Sequence, residues 1–202
     1  MGADYSSAPV TLWVQINSTL PPYRFVLTPS AERGSADTDE VLMGKITVFR
    51  EGTAAPVQTI SVWGADRARF TTTFRMVDVN FDGDLDLVDF HCAGAKWRSD
   101  SYWLIDQASG RFITNKLTAQ LGELMYQSIA VNPAKAEIRT SLWIGVCNRS
   151  FEVYRIERGK LVLIESGIHM PEDSHHCMVT RKKRTGLKLV TLPAVRVKHP
   201  ED

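Results

Sequence analysis

Oxygen-bearing side chains recur at every second position in one short stretch of the chain, and that spacing suits a metal loop. These side chains belong to Asp78, Asn80, Asp82 and Asp86. Gly83 permits a sharp turn at the sixth position, and the backbone carbonyl of Asp84 supplies a further oxygen at the seventh. A hard divalent cation such as Ca2+ takes roughly 6–8 oxygen ligands from a flexible cage. The stretch therefore predicts a calcium site.

The residues after the stretch decide how far it matches an EF-hand. Asp89 falls at the twelfth position, where an EF-hand has glutamate, and is a further candidate ligand. Residues 85–90 lack helical spacing, so the loop is EF-hand-like in its ligands but joins two strands. The alternative is a surface turn without a metal, because Asp, Asn and Gly dominate turns for local reasons. Crowded carboxylates repel one another without a cation, which favours the metal.

The composition indicates a single β-rich domain over residues 1–202. With 44% hydrophobic and 9% aromatic residues, the chain can bury a substantial core. The formal net charge of +1 gives no sign of a nucleic-acid partner. The one dense basic run, residues 181–184, precedes a Thr-Gly pair and is typical of a solvated hairpin tip rather than a nucleic-acid patch.

The terminus and the cysteines favour a periplasmic or cell-envelope location. No window approaches the ~20 apolar residues that a transmembrane segment needs. The chain begins Met-Gly-Ala-Asp without a charged-then-apolar pattern, and we expect that a signal sequence has been removed. Cys92, Cys147 and Cys177 allow at most one internal disulfide and leave one thiol over. A disulfide and millimolar-range calcium both fit an extracytoplasmic setting.

Period-2 alternation and glycine-containing turns predict a chain that is nearly all strand. The predicted strands are Val10–Ile16, Tyr23–Leu27, Lys45–Phe49, Val57–Trp63, Arg69–Val77, Tyr102–Asp106, Arg111–Ile113, Glu137–Ser141, Phe151–Ile156, Leu161–Ile164, Cys177–Thr180 and Leu187–Leu192. The spacing of Leu117, Leu121, Leu124 and Met125 predicts one short helix. Residues 1–40 are expected to be partly irregular and residues 195–202 a flexible tail. Because one hairpin cannot bury its own apolar face, we predict an all-β fold, an irregular β-propeller-like array of antiparallel hairpins.

The ordered set of motifs also resembles a known family. The residues that carry the likeness are the aspartate loop, Tyr102–Asp106, Ser109–Phe112, Tyr154, Arg155 and Gly159–Leu163. In order and spacing they resemble the bacterial VCBS/FG-GAP-type calcium-loop proteins of the cell envelope, over roughly residues 45–166. Some members of that family are small, propeller-like periplasmic immunity proteins, related in role to lysozyme inhibitors. They protect a bacterium from peptidoglycan-cleaving toxins delivered by type IV or type VI secretion systems.

This resemblance carries three expectations. It implies that the loop residues ligate a structural calcium ion, Asp84 through its backbone oxygen. It implies a disulfide between Cys147 and Cys177 that leaves Cys92 free, because relatives have a cysteine on each side of the strand that holds Tyr154. It also implies an immunity or inhibitor protein that binds and blocks a cognate lysozyme-like peptidoglycan hydrolase effector.

The sequence does not predict an enzyme. Neither a Gly-x-Ser-x-Gly nor a His-Glu-x-x-His motif occurs in it. The adjacent His175 and His176 would point to opposite faces of a strand, so they cannot easily chelate one zinc ion together. A binding protein is the better interpretation.

We expect the partner-binding residues a few positions downstream of the aspartate loop. Trp97 and Tyr102 are the candidate aromatic anchors, because aromatic residues and arginine dominate interface energetics. Arg98, His175 and His176 are candidate donors to the paired carboxylates of a glycan hydrolase. The alternative is a calcium-dependent adhesin or carbohydrate-binding module of the envelope, in which Trp97 and Tyr102 would stack on sugar rings.

Overall fold

The computed structural model describes residues 9–29, 44–62, 74–92, 98–143, 145 and 147–198, with the backbone alone for residues 29, 90–92, 98 and 99. Antiparallel strands dominate these residues. The elements are β1 (Val10–Val14), β2 (Tyr23–Pro29), β3 (Gly44–Arg50), β4 (Gln58–Val62), β5 (Phe74–Val77), β6 (Asp86–Cys92), β7 (Arg98–Asp106), β8 (Arg111–Ile113), α1 (Lys116–Gly122), β9 (Ser128–Asn132), a 3₁₀ turn (Pro133–Lys135), β10 (Glu137–Trp143), β11 (Arg149–Glu157), β12 (Lys160–Pro171), β13 (His176–Thr185), β14 (Lys188–Thr191) and β15 (Val195–Lys198).

The chain divides into two compact units. Residues 1–93 and 99–122 form the first unit, and residues 94–98 and 123–202 form the second. The single domain over residues 1–202 stays a prediction.

The first unit holds two four-stranded antiparallel meanders, β1-β2-β3-β4 and β5-β6-β7-β8. Their alternating apolar side chains face one shared core, in which Phe25 and Val48 are fully buried. The ring of Phe25 packs edge-on against Phe74 at 5.3 Å and against Phe112 at 5.6 Å between centroids. This core fixes the ends of β5 and β6, and therefore the aspartate loop between them.

The second unit holds one sheet in the order β14-β13-β12-β11-β10-β9, with β15 also paired to β13. A disulfide joins Cys147, which precedes β11, to Cys177 in β13, and both cysteines are buried. The disulfide implied by the resemblance is therefore confirmed. A register shift between Val153 and Tyr154 interrupts the pairing of β11 with β12.

The predicted all-β character is confirmed for the described residues, in which α1 is the one short α-helix. Asn115 begins that helix, because its Oδ1 accepts hydrogen bonds from the backbone N–H groups of Leu117 at 2.8 Å and Thr118 at 3.1 Å. The described sheets are open meanders, and within this part of the chain neither a propeller nor a closed sheet is found.

The predicted flexible tail is wrong for residues 195–198. Val195 and Val197 alternate with basic residues and pair with Val179 and Cys177 of β13, so this segment forms β15. Two alternating valines beside an unpaired stretch of β13 are enough to add a short strand. Residues 199–202, and residues 69–73 of the strand predicted before the aspartate loop, lie outside the described part.

Candidate functional site

The aspartate loop turns over the side chain of Asp78, the first residue after β5. The two carboxylate oxygens of Asp78 accept hydrogen bonds from the backbone N–H groups of Asp82 at 3.1 Å and Gly83 at 2.9 Å. Gly83 has a φ of 92°, a backbone conformation that side-chain-bearing residues rarely adopt. The glycine therefore allows the chain to fold back over the carboxylate, as the sequence predicted.

The next two predicted ligands also orient the turn from within. The Oδ1 of Asn80 accepts from the backbone N–H of Asp82 at 3.2 Å, and the Oδ1 of Asp82 accepts from that of Asp84 at 2.9 Å. The side-chain amide of Asn80 donates to the Oδ2 of Asp82 at 2.7 Å. Each oxygen retains a further lone pair, so these bonds orient the ligand atoms without exhausting them.

Asp84 ties the loop to two distant segments through its side chain, which is almost fully buried. One carboxylate oxygen accepts from the side-chain amide of Gln107 at 2.6 Å, and the other accepts from that of Asn17. The neighbouring backbone N–H of Leu85 donates to the carbonyl of Ile16 at 3.1 Å. These side-chain bonds leave the backbone carbonyl of Asp84 as the group predicted to face a metal. Asn17 and Gln107 were not found from the sequence, because nothing local marks them as partners.

Asp86 is the most deeply placed carboxylate of the loop and is fully buried. Its two oxygens accept from the backbone N–H groups of Ile105 at 3.0 Å and Val79 at 3.1 Å. Burial raises the pKa of Asp86 to about 7, although these two hydrogen bonds lower it, and the nearby charges of Asp82 and Asp78 raise it further. The negative charge of Asp86 is therefore poorly solvated, which is the condition that a bound cation relieves.

The donor set of the loop fits a hard cation by chemistry. All five predicted ligand groups are oxygens spaced along one turn, and the four side chains among them accept hydrogen bonds from backbone N–H groups. Within the described residues, however, no three Asp, Glu, His or Cys side chains are arranged as a metal-binding group. Calcium binding stays a prediction.

Asp89 is separated from the other candidates by the pleat of β6. Successive side chains of a strand point to opposite faces, so Asp86 and Asp89, three residues apart, lie on opposite sides of the sheet. Asp89 is buried and pairs in register with Phe74 of β5. It therefore lies outside the ligand set that we propose below.

The predicted aromatic contacts are only partly described. Trp97 lies outside the described residues, and the side chain of Arg98 is not described. Tyr102 is only 4% exposed, so the prediction that it is an exposed anchor is wrong. The pleat of β7 turns Tyr102 inward.

His175 and His176 lie at the turn that joins β12 to β13, where a carboxylate collects several donors. Asp173 accepts from the backbone N–H of His175 at 2.8 Å, contacts the Nδ1 of His176 at 2.9 Å and pairs with Arg196 at 2.6 Å. The pKa of Asp173 is well below its usual range, first because of the His175 N–H and then because of His176. Arg196 also pairs with Glu172 at 2.8 Å. The turn is an exposed polar network.

A groove of about 310 Å³, which the sequence did not predict, lies on one face of β10, β11 and β12. Two cross-strand rows line it, Thr140–Glu152–Ser166 and Leu142–Ser150–Ile168. Small side chains leave the concave space, Ser150 in the middle of one row and Thr140 and Ser166 at the ends of the other. Met125 and Ile168 line the groove and are 59% and 51% exposed. Such a surface can accept an apolar side chain beside a carboxylate.

Glu152 is already engaged within this groove. The hydroxyl of Tyr154 donates to its Oε2 at 2.6 Å. Burial, followed by this hydrogen bond, raises the pKa of Tyr154, so the phenol stays protonated at neutral pH. Glu152 therefore presents a fixed acceptor rather than a free carboxylate.

The opposite face of the same strands holds a buried ring surrounded by cations. The ring of Phe151 crosses Gly167 so closely that a Cβ there would lie 2.3 Å from Cε1 of the ring. The guanidinium of Arg139 lies 4.3 Å from the ring centroid, and His169 packs edge-on at 6.4 Å. The pKa of His169 is lowered, first by burial and then by three guanidinium groups. They belong to Arg149, Arg181 and Arg139.

Comparison with known proteins gives a fold. No family model matches the chain, and no curated protein matches its sequence. The fold is similar to that of a solved structure described as a Xanthomonas Type IV Secretion System related protein. The two align with a TM-score of 0.64 and 14% sequence identity, over 92% of this chain and 99% of the other. Separately, the described residues contain no helix long and apolar enough to span a membrane. The chain therefore shares a fold with a secretion-system-related protein.

Proposed function

We propose that this chain is an immunity or inhibitor protein that binds and blocks a lysozyme-like peptidoglycan hydrolase effector. The observation that carries the proposal is the shared fold with a Type IV Secretion System related protein, over nearly the full length of both chains. The buried disulfide between Cys147 and Cys177 supports a periplasmic or envelope location, since such bonds persist in oxidising compartments. The effector of a secretion system acts in the same compartment.

We also propose that the chain is a calcium-loop protein of the VCBS/FG-GAP type with a propeller-like arrangement. Sequential four-stranded meanders such as β1–β4 and β5–β8 are the form that propeller blades take. The side chains of Asp78, Asn80, Asp82 and Asp86 and the carbonyl of Asp84 would hold the ion. Bound calcium supplies positive charge to a crowded anionic turn, and its role here is structural.

The groove beside Ile168 is the contact surface that we assign to the partner. Exposed apolar side chains around a concave, partly polar site are typical of protein interaction surfaces. This surface replaces Tyr102, which is buried. Ile168 lies in β12 and is paired with β11 on one side and β13 on the other, so its backbone is already ordered and little ordering cost accompanies binding.

The inhibitor proposal is tested with a lysozyme-like peptidoglycan hydrolase, chosen from a neighbouring reading frame where one encodes it, and labelled peptidoglycan as substrate. We expect an equimolar amount of the chain to suppress release of the label. Ile168→Arg should weaken inhibition about 30-fold, because a charge replaces a central apolar contact. The matched control is Ile113→Arg, at an isoleucine of the first unit that is 41% exposed. Undiminished hydrolysis at a large excess of the chain would overturn the proposal.

The structure weakens the alternative of a calcium-dependent adhesin or carbohydrate-binding module. It required Trp97 and Tyr102 to stack on sugar rings, and Tyr102 is buried. A glycan array distinguishes the two functions. Calcium-dependent glycan binding without any effect on the hydrolase would favour the adhesin or carbohydrate-binding module instead.

The calcium proposal is tested by thermal unfolding with calcium and with EGTA. At a calcium concentration a hundred times the Kd, the folded state gains about 2.7 kcal/mol. For a chain of this size that corresponds to a rise of roughly 5–10 °C in Tm. Asp82→Ala should abolish the rise, whereas Glu51→Ala, at an exposed acid in another turn of the first unit, should keep it. Equal melting curves with and without calcium would remove the ion from the proposal.

A further inference from the structure

The stretch from Cys177 to Lys198 contains seven basic residues and no acidic residue. The whole chain has a formal net charge of only +1. The net charge of this stretch is therefore strongly positive, whereas that of the rest of the chain is negative. The stretch comprises β13, β14 and β15. We call the part formed by β13, β14 and their turn the cationic hairpin, residues 176–191.

Both faces of the cationic hairpin carry cations. Lys182 and Lys183 are neighbours on β13, so the pleat directs them to opposite faces, where they pair in register with Thr191 and Val190. Every residue of β14 is exposed. The turn ends in an apolar tip, because Leu187 is 92% exposed and Leu189 follows at 40%.

These cations have few counter-charges. Among the described residues no carboxylate pairs with Lys182, Lys183 or Lys188, and Arg184 hydrogen-bonds to the carbonyl of Gly186 at 3.0 Å. The ion pairs of this stretch lie at its base, where Arg196 meets Glu172 and Asp173. Glu165 of β12 is the carboxylate that lies in register with this half, across from Lys183, so the distal half projects a net positive charge together with exposed leucine.

The need to protect an edge strand from unwanted pairing does not explain this composition. Edge strands avoid unwanted pairing with an occasional charged residue, usually lysine, and they gain nothing from exposed leucines. The hairpin from Lys182 to Leu192 also lacks aromatic side chains, which with arginine dominate interface energetics, and its one arginine, Arg184, is bonded to the carbonyl of Gly186. A hairpin with cations on both faces and an aliphatic tip fits an environment with negative charge all around the hairpin and an apolar interior beneath that charge.

We propose that the cationic hairpin docks tip-first on an anionic phospholipid membrane. Leu187 and Leu189 enter the boundary between headgroups and acyl chains, while Lys182 and Lys183 remain at the level of the phosphates. Lys188 lies between the two leucines, and its long side chain extends its ammonium group back to the phosphates. Leu187 lies in the turn and Leu189 in β14, two residues apart, so they span at most ~7 Å, which falls within the ~5–10 Å that interfacial apolar side chains penetrate. This inference does not depend on the inhibitor function.

The experiment measures co-sedimentation of the full chain with phospholipid vesicles at low and high salt. One set contains phosphatidylcholine alone, and the other contains equal parts of phosphatidylcholine and phosphatidylglycerol. We expect binding to the second set only, and release by salt. Each basic residue near an anionic surface contributes about fivefold, so the Lys182→Ala, Lys183→Ala double variant should bind about 25-fold more weakly. Leu187→Ser should lose about tenfold through its apolar contact.

Matched controls separate the hairpin from general charge and from the groove. The Lys135→Ala, Lys160→Ala double variant removes two exposed lysines of the second unit elsewhere, and Met125→Ser removes an apolar side chain of the groove. Both control variants should bind vesicles within about fivefold of the unchanged chain, which is the change expected for one basic residue at the membrane surface. Equal binding to both vesicle sets, or equal losses in the controls, would overturn the proposal. A hairpin variant that inhibits the hydrolase poorly but keeps its vesicle binding would make the hairpin a protein contact and also overturn it.

Discussion

The aspartate loop and the central strands of the second unit use polar groups in opposite ways. In the loop, Asp84 and Asp86 are buried, and both oxygens of each accept hydrogen bonds from amides. Around the groove of the second unit, Met125 and Ile168 are more than half exposed. The loop is organised to hold a shape, whereas the groove presents contacts. The comparison predicts that loop variants change stability and groove variants change binding.

The largest stability effect should come from the disulfide of the second unit. Cys147 and Cys177 are 30 residues apart, and closing a loop of that length stabilises a fold by roughly 3–4 kcal/mol. The Cys147→Ala, Cys177→Ala double variant should lose that amount in urea unfolding. Cys92→Ala is the control and should lose much less. If Cys92→Ala alone cost as much, a different pair would be linked in solution.

The next largest effect should come from Asp86 in the first unit. Asp86→Ala leaves the buried N–H groups of Val79 and Ile105 without acceptors, and each such group costs about 1–3 kcal/mol. In calcium-free buffer we expect a loss of about 3 kcal/mol, measured by urea unfolding. Asp82→Ala, at an exposed position of the same loop, should cost less than about 1 kcal/mol under these conditions. Equal losses would mean that the hydrogen bonds of Asp86 to Val79 and Ile105 do not account for its effect.

Gly167 tests the packing that separates the two faces of the second unit. A methyl group there meets the ring of Phe151 at 2.3 Å, and overpacking of this kind costs about 1–3 kcal/mol. Gly145→Ala is the matched control, because its Cβ would meet only Asn148 at 3.9 Å. Gly167→Ala should cost little in a Phe151→Ala background, since the clash is then gone. If Gly167→Ala destabilised the Phe151→Ala variant as much as it destabilises the unchanged chain, the strain would come from a contact other than the one with Phe151.

Local sequence patterns predicted the strands and the helix, but they did not predict contacts between residues that are far apart in the chain. The alternation of β1, the glycine of the turn before β8 and the leucines of α1 were all visible in the sequence. The inward direction of Tyr102 was not, because either parity of a strand places an aromatic side chain inside. Asn17 and Gln107 are 67 and 23 residues from Asp84, so only the packed sheets reveal them as its partners. The groove likewise arises from small residues on three strands.

The smallest predicted effect is a pH dependence in the second unit. His169 has a lowered pKa in the folded chain, first because of burial and then because of the guanidinium groups of β10, β11 and β13. Above the unfolded pKa of about 6.5 the imidazole is neutral in both states and contributes no pH dependence. As the pH falls below that value the unfolded chain takes up the proton first, so stability declines, by at most about 1.4 kcal/mol for each pH unit. His169→Gln should flatten this part of the curve of unfolding free energy against pH, and His175→Gln, in the exposed turn before β13, should leave it unchanged. If the slope is unchanged in His169→Gln, another group takes up the proton. That result would count against the cluster of cations around the ring of Phe151.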